Sequence, residues 1–551
     1  FILSTSQLFS QISRVVGSYP WRPHPTKQRH RNVEVVENLD WGFEAAAHLL
    51  RRGGFSAPPE EIGRIVGKGF PDALEELFKQ DEVDDSEMEA GLAEKNLQLI
   101  RQNQNGRYRT NVDTLQQWWL YRMINSKHQL LEKMTFFWHD HFATSVLQIH
   151  FVLGAPEGDD PIIDGETEPL MLIQNGTLRK HALGNFKEMV HEIARDPAMI
   201  LWLNNAENRV GKPNENWARE LFELFTLGES SETNAYTEMD IQEAARAFTG
   251  WTIVPPRLST SNLPAFDFRY SSRWHDFEPK TVLDEVIVSA GGQASIIDGD
   301  RVIDLIFEQT QTAIFITRKL WEYFVYPNPD EQIVEELAGV FRSENYEISP
   351  LMKAIFSHPQ FMSVKALRSK IKSPIEFAVG AFRELGVKDP RNLSRLSERF
   401  GLGQQLFAPP DVGGWTNDEG WINTGTIIGR YNFMTFLSCN RGRSFQGLPT
   451  MNRDARFDVI CHGRQAEDQI DIEKIIETNN LQSAADIVHY FGTALLQGSH
   501  TLDDLYILEE YMNTGLDGLP DPFDINDPQI VDTKVRGVIF LLSLLPTYQL
   551  N

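Results

Sequence analysis

The chain has 551 residues, of which 41% are hydrophobic, 11% aromatic and 23% charged, and its formal net charge is −25. That aromatic content supports a large buried core and excludes a disordered chain, while the acidic balance excludes a nucleic-acid backbone as main partner, since phosphate binding needs a basic surface. No apolar run is long enough to span a bilayer, and Phe1 to Tyr19 lacks the basic start and continuous apolar centre of a secretory leader.

In chain order, residues 1–38 read as an N-terminal arm, interrupted by Pro20, Pro23 and Pro25 and followed by the cations Lys27, Arg29 and Arg31. A main helical domain is predicted over 39–441. It opens with Phe43–Arg52, closed by Gly53-Gly54, and a second helix starts at Ala57-Pro-Pro, where a first-turn proline costs no hydrogen bond. Trp118 to Phe142 reads as one long aromatic-rich helix. A polar loop rich in Gly, Asp and Pro covers 154–168, and helical patterns resume over 168–203. Thr237 to Thr249 reads as a helix with acids at its positive end. Residues 252–300 carry short β-type runs, and helices return from Asp300 to about 385. A Pro/Gly/Trp-rich loop fills 400–428, a polar insertion follows at 442–470, and C-terminal helices over 471–551 pack on the main domain. The sum is a mainly α protein: one large multi-helix domain with long loops and a short β element near 252–300. Cys439 and Cys461 are the only cysteines, which excludes a zinc ribbon and a disulfide scaffold and leaves a single bridge open.

The segment Asn214-Glu-Asn-Trp-Ala-Arg-Glu-Leu-Phe-Glu-Leu-Phe-Thr-Leu-Gly228 reads as a short amphipathic helix, capped by Asn214 and ended by Gly228. Leu221, Leu224 and Phe225 make an apolar stripe, and Asn216, Glu220 and Glu223 share a second face. Glu220 and Glu223 are candidate metal ligands, or a catalytic acid/base pair if burial separates their pKa values; the competing reading is a structural network with Arg219. In Trp138-His-Asp-His-Phe142, His139 and His141 are candidate metal ligands with Glu220. Two histidines one residue apart lie ~200° apart on a helix, so joint ligation needs the helix to end or distort there. The stretch Gln174-Asn-Gly-Thr-Leu-Arg179 offers Asn175 and Arg179 to an anionic or polar substrate; the competing reading is an internal pair between Arg179 and a helix glutamate such as Glu220. His275 and Asp276, in a charged and aromatic loop, are candidates for proton transfer. In Pro409-Pro-Asp-Val-Gly-Gly-Trp415 through Trp421-Ile-Asn-Thr424, Trp415, Trp421 and Asn423 have the composition of a sugar-binding surface, against a loop pinned by its indoles. The elbow of serine hydrolases, the P-loop, the dinucleotide fingerprint and the His-Glu-x-x-His motif are absent.

Taken in order, these motifs resemble the bacterial family catalogued as domain of unknown function 1800 (DUF1800). The match also draws on Ala45-Ala-Ala-His-Leu-Leu-Arg-Arg-Gly-Gly-Phe55, Ala182-Leu-Gly-Asn-Phe186, Arg195-Asp-Pro-Ala-Met199, Ala244-Ala-Arg-Ala-Phe-Thr-Gly-Trp251 and Ser373-Pro374, and it spans roughly 41–545. The resemblance implies a helical protein, often exported, often encoded beside a sulfatase-like partner, and it carries no established reaction. The expectation for function is an extracellular, periplasmic or envelope-associated hydrolase, assisted by a divalent metal ion, on a polar, carbohydrate-like or anionic substrate. The alternatives are a non-enzymatic surface or assembly protein that docks a partner through the Trp-rich loop, and a carbohydrate-binding module.

Overall fold

The computed structural model describes residues 38–79, 83–95, 97, 101–102, 108–109, 112–153, 168–254, 266–390, 396–438, 470–515 and 519–551. The arm at 1–38 (Asn38 apart), the polar loop at 154–168 (Glu168 apart), both cysteines and the insertion at 442–470 (Ile470 apart) lie outside the described residues. The fold is mainly α. Among the described residues no helix is long and apolar enough to cross a membrane.

Helix α1 (Phe43–Arg52) is built from strong helix formers, and the Gly53 amide closes its last turn on the Leu49 carbonyl. From Ala45 onward every residue of α1 is buried, Arg51 and Arg52 included. The stretch read as one helix from Trp118 to Phe142 is two: α2 (Val112–Asn125) and α3 (Gln129–His141). Gln129 causes the break. Its Nε2 donates to the carbonyls of Met123 (3.0 Å) and Ser126 (2.7 Å), and the Ser126 hydroxyl accepts from the His128 amide (3.0 Å). These bonds satisfy the carbonyls that end α2, so the backbone turns instead of continuing.

Helix α3 lies between two apolar cores. Met134, Phe137 and Trp138 enter the first, with Phe186, Phe225, Trp251, Trp321 and Phe356. Phe136 enters the second, with Trp119, Phe377, Phe433, Phe491 and Tyr548. That second core takes side chains from α2, from α4 (Pro374–Glu384) and from the C-terminal helices α5 (Ala484–Leu496) and α6 (Pro528–Leu544). Lys133, Phe136 and Asp140 are spaced i, i+3 and i+7, so they share the α3 face at the seam between the cores.

Short β elements stand where the sequence predicts them. Trp251–Ile253 pairs antiparallel with Phe268–Tyr270, and Lys280–Val282 with Glu285–Ile287. The helix read over 216–227 is α only at Asn216–Glu220 and becomes a π-helix over Leu221–Thr226. The Leu227 amide reaches back five residues to the Phe222 carbonyl, and the Thr226 hydroxyl donates to the Leu221 carbonyl. Such turns are rare and concentrate at functional sites.

Rotation of α3 is fixed by Glu132, which is sealed from solvent. Trp119 Nε1 (3.1 Å) and Arg122 Nε (3.2 Å) donate to it from α2, and Arg179 Nη1 donates from the helix Glu168–His181. Burial pushes the Glu132 pKa up, but Arg179 and Arg122 outweigh it and hold the carboxyl below its usual range. Glu132→Gln therefore strands Arg179, while Arg122 keeps Glu89 (2.6 Å), with an expected loss of ~3 kcal/mol in urea unfolding at neutral pH. The wild-type advantage disappears in acid, as pH falls through the depressed folded-state pKa. Equal unfolding midpoints at neutral pH are the contrary result.

Candidate functional site

Side chains from sequence-distant segments meet at the seam. Arg52 ends α1; Lys133, Phe136 and Asp140 come from α3; Tyr323 comes from the helix Thr310–Phe324. Lys370, Ser373 and Glu376 surround the start of α4, and Gln404, Asp418 and Trp421 come from the Pro/Gly/Trp-rich loop. They enclose a cavity of about 30 Å³, open on one side. At roughly 10–15 Å³ per water, it has room for about two.

Most of its charges are matched. Lys133 pairs with Glu376, whose other oxygen accepts from the Ser373 amide (2.7 Å) in a capping box at the start of α4. Lys370 pairs with Asp418 (2.6 Å). Arg52 Nη2 donates to the Ala366 carbonyl (2.9 Å) and the Ser369 hydroxyl (3.0 Å), and its Nε has no partner among the described residues. The Tyr323 hydroxyl is also buried without a described partner, and burial beside Glu376 and Asp140 raises its pKa well above the usual phenol value.

Asp140 has no cation within hydrogen-bonding reach among the described residues. Its described bond is from the Trp415 amide (2.8 Å). Gly414 allows that approach: its φ is +85°, and a Cβ there would stand 2.3 Å from Asp140 Oδ1. Burial raises the Asp140 pKa to about 6, against the opposing pull of the Trp415 amide and Lys319.

The sequence candidates separate into several places. His139 Nε2 accepts from the Phe407 amide (3.0 Å), and burial lowers its pKa to about 3. His141 Nε2 faces the Phe225 carbonyl (3.1 Å), and burial keeps that ring neutral too. The two rings thus bond on different sides of α3, as helical geometry demands, and the structure does not gather His139, His141 and Glu220 into a donor set. Among the described residues no group of three His, Cys, Asp or Glu side chains is arranged to hold a metal ion. Arg179 is held by Glu132, and Asn175 supports it with Oδ1 (3.3 Å); neither lines the cleft, and the glutamate partner is not Glu220. His275 is buried between Asp298 (3.1 Å) and the Thr249 carbonyl (2.7 Å), where Lys280 joins Asp298 as well. Asp276 pairs with Arg246 (2.8 Å). Asn216 is exposed, and its amide donates to Asn214, the residue expected to cap this helix. Asn423 accepts from the amides of Gly425 and Thr426 at the start of the helix Thr424–Ser438. Trp415 packs 5.5 Å from the His139 ring and stays off the cleft, whereas Trp421 lines it.

Glu220 and Glu223 do separate. Glu223 bonds Arg219 (3.2 Å), whereas Glu220 makes no hydrogen bond to a described residue. Partial burial, with Glu223 and Asp411 nearby, raises the Glu220 pKa to about 7. Glu220 does not line the seam cleft.

The sequence reading missed Arg52, Lys133, Tyr323, Lys370, Glu376 and Asp418 as site residues and did not count Asp140 among its candidates. The available signals were weak: two adjacent arginines ending an apolar helix, and a lysine two helical turns before Asp140 on the same face.

The sequence pattern of a family described as "Protein of unknown function (DUF1800)" matches residues 48–518, and the chain belongs to that family. No curated protein and no solved structure matches it.

Asp140 has a consequence for stability. Its folded pKa of about 6 lies above the unfolded value near 3.8, so the folded state holds more protons between those values and stability falls as pH rises through that window. Asp140→Asn keeps an acceptor for the Trp415 amide and removes the buried charge. The variant should be more stable than wild type by on the order of 2–3 kcal/mol at about pH 7.5, with little gain at about pH 4. Unfolding curves at both pH values check this, and a destabilised variant at about pH 7.5 contradicts it.

Proposed function

We propose that this member of the DUF1800 family is an enzyme that hydrolyses a polar substrate in the seam cleft, with Asp140 as the proton-transfer group. The observation that carries the reading is a carboxyl with a pKa near neutrality, beside open space, among charges already paired with one another. A group poised near the working pH can both accept and return a proton, and such positioning contributes ~10²–10⁴-fold to a rate. The unpartnered Tyr323 hydroxyl supplies a donor for an oxygen that gains charge. This chemistry does not require a metal held by His139 and His141. A location outside the cytoplasm and a sulfatase-like partner stay in the proposal on the strength of the family resemblance alone.

A second reading places the acid at Glu220, because its pKa is about 7, it lacks a described hydrogen bond, and it directly precedes the π-helix. The assembly reading draws on the Glu132 and Asp298 networks, which are internal braces, and it shares the Trp-rich loop with the carbohydrate-binding reading. Their docking loop would have to present Trp415 and Trp421, and both indoles are buried.

The test is turnover of a panel of chromogenic esters, amides, phosphates, sulfates and glycosides by wild type, Asp140→Asn and Glu220→Gln. The expected outcome is a class hydrolysed with an inflection near pH 6 and a loss of ~10² or more in Asp140→Asn alone. Loss confined to Glu220→Gln moves the acid to the second reading. A folded wild type inert on every class, or an Asp140→Asn variant with full turnover, contradicts the enzyme reading at this cleft.

A further inference from the structure

The cleft lies against a buried excess of positive charge. Arg52, Lys133 and Lys370 line it. Behind them Arg51, Arg368, Lys372 and Arg430 are packed closely enough to share acidic neighbours and, in part, to repel one another. Glu376, Glu384 and Asp418 oppose these seven cations, with Glu44 at the edge and Asp140 across the cavity. In a chain of net charge −25, such a concentration of cations away from solvent runs against the overall balance.

The donors are also short of acceptors. Arg52 Nε, Arg51 Nε and Nη2, Arg430 Nε and Lys372 Nζ are buried without a hydrogen-bond partner among the described residues. Lys372 Nζ stands 3.6 Å from Glu384 and 4.1 Å from the Tyr548 ring centroid, a long ionic contact and an aromatic face in place of a hydrogen bond. Buried cations are ordinarily paired and fully bonded, because leaving them otherwise is costly. Arg52 combines these features. It is buried, it borders the open space, and part of its guanidinium is unused.

Charge and size then select the ligand. Glu376 and Asp418 pair with Lys133 and Lys370, and no carboxylate pairs with Arg52 among the described residues, so a single anionic group is the partner that Arg52 lacks, provided Asp140 across the cavity is protonated. Two water positions in about 30 Å³ match the two oxygens of a planar carboxylate. A tetrahedral phosphate or sulfate brings four oxygens, twice the number of those positions. Guanidinium and carboxylate are also matched in shape.

We propose that the seam cleft binds a carboxylate group, held by Arg52 with Lys370 beside it in the lining, and that its substrate is therefore an organic acid or a conjugate that bears one. The proposal rests on reading this cleft as the functional site. Formate and acetate are the probes, with inorganic phosphate and sulfate as comparison anions. Binding to the full chain is read by saturation-transfer NMR and by thermal shift, neither of which needs turnover. Saturable binding of a carboxylate, weakened about tenfold or more in Arg52→Gln and in Lys370→Gln, is the expected result. Lys370→Gln is included because its side chain lines the cleft and is less buried than Arg52, so it tests the site should Arg52→Gln fail to fold. Absence of carboxylate binding, binding unchanged in a folded variant, or phosphate or sulfate bound more tightly than acetate overturns the proposal. Asp140→Asn separates it from the enzyme reading. A variant that binds acetate and keeps full turnover sinks the proton-transfer role alone, while one that loses turnover in a protein with no anion site sinks the carboxylate proposal alone.

Discussion

A carboxylate sealed from water sets the orientation of α3, and the cleft follows from that orientation. Glu132 and Lys133 are adjacent, so their side chains leave the helix roughly 100° apart. Once Trp119, Arg122 and Arg179 clamp Glu132 on one side, Lys133 must project toward α4, where Glu376 meets it. Two turns later Asp140 projects from the same face into the seam. The polar motif Gln174 to Arg179, which reads from sequence as a binding element, thus acts through position: Arg179 braces the helix that carries the candidate acid.

Within the cleft, pairing and its absence divide the work. Removing either member of Lys133–Glu376 leaves a buried uncompensated charge, so each is retained by the other. Lys370 and Asp418 pair in the same way, with Asp418 partly exposed. Asp140 lacks such a partner, and its raised pKa is the cost in folding stability of keeping a carboxyl responsive near neutral pH. A pocket in which every charge were satisfied would be more stable and chemically silent.

Local features were legible in the sequence because local physics sets them. The helix start at Thr237, the stop at Gly228 and the short β element after Trp251 all follow from residue type and spacing. The break between α2 and α3 was missed because Gln129 is an ordinary helix former whose side chain happens to reach back to the preceding carbonyls. The π-helix was missed because a helix carrying one extra residue per turn has no distinct periodicity over six residues. The cleft was the least legible part. Arg52, Asp140, Glu376 and Asp418 are hundreds of residues apart in places, and their types suit a solvated surface equally well. Only burial turns them into a site, and burial is a property of the assembled cores.

The loop Pro409 to Trp415 ties the two titrating carboxyls together. Asp411 at one end adds to the burial and the Glu223 charge that raise the Glu220 pKa, and Gly414 and Trp415 at the other seat on Asp140, with the Trp415 amide as its bonded partner. Gly414 requires a left-handed conformation with no room for a Cβ, so the loop approaches α3 along one narrow path. Neither acid is then set by its own helix alone. One backbone segment thus forms part of the surroundings of both acids, which gives a physical reason for a glycine pair and a tryptophan at that point in the chain.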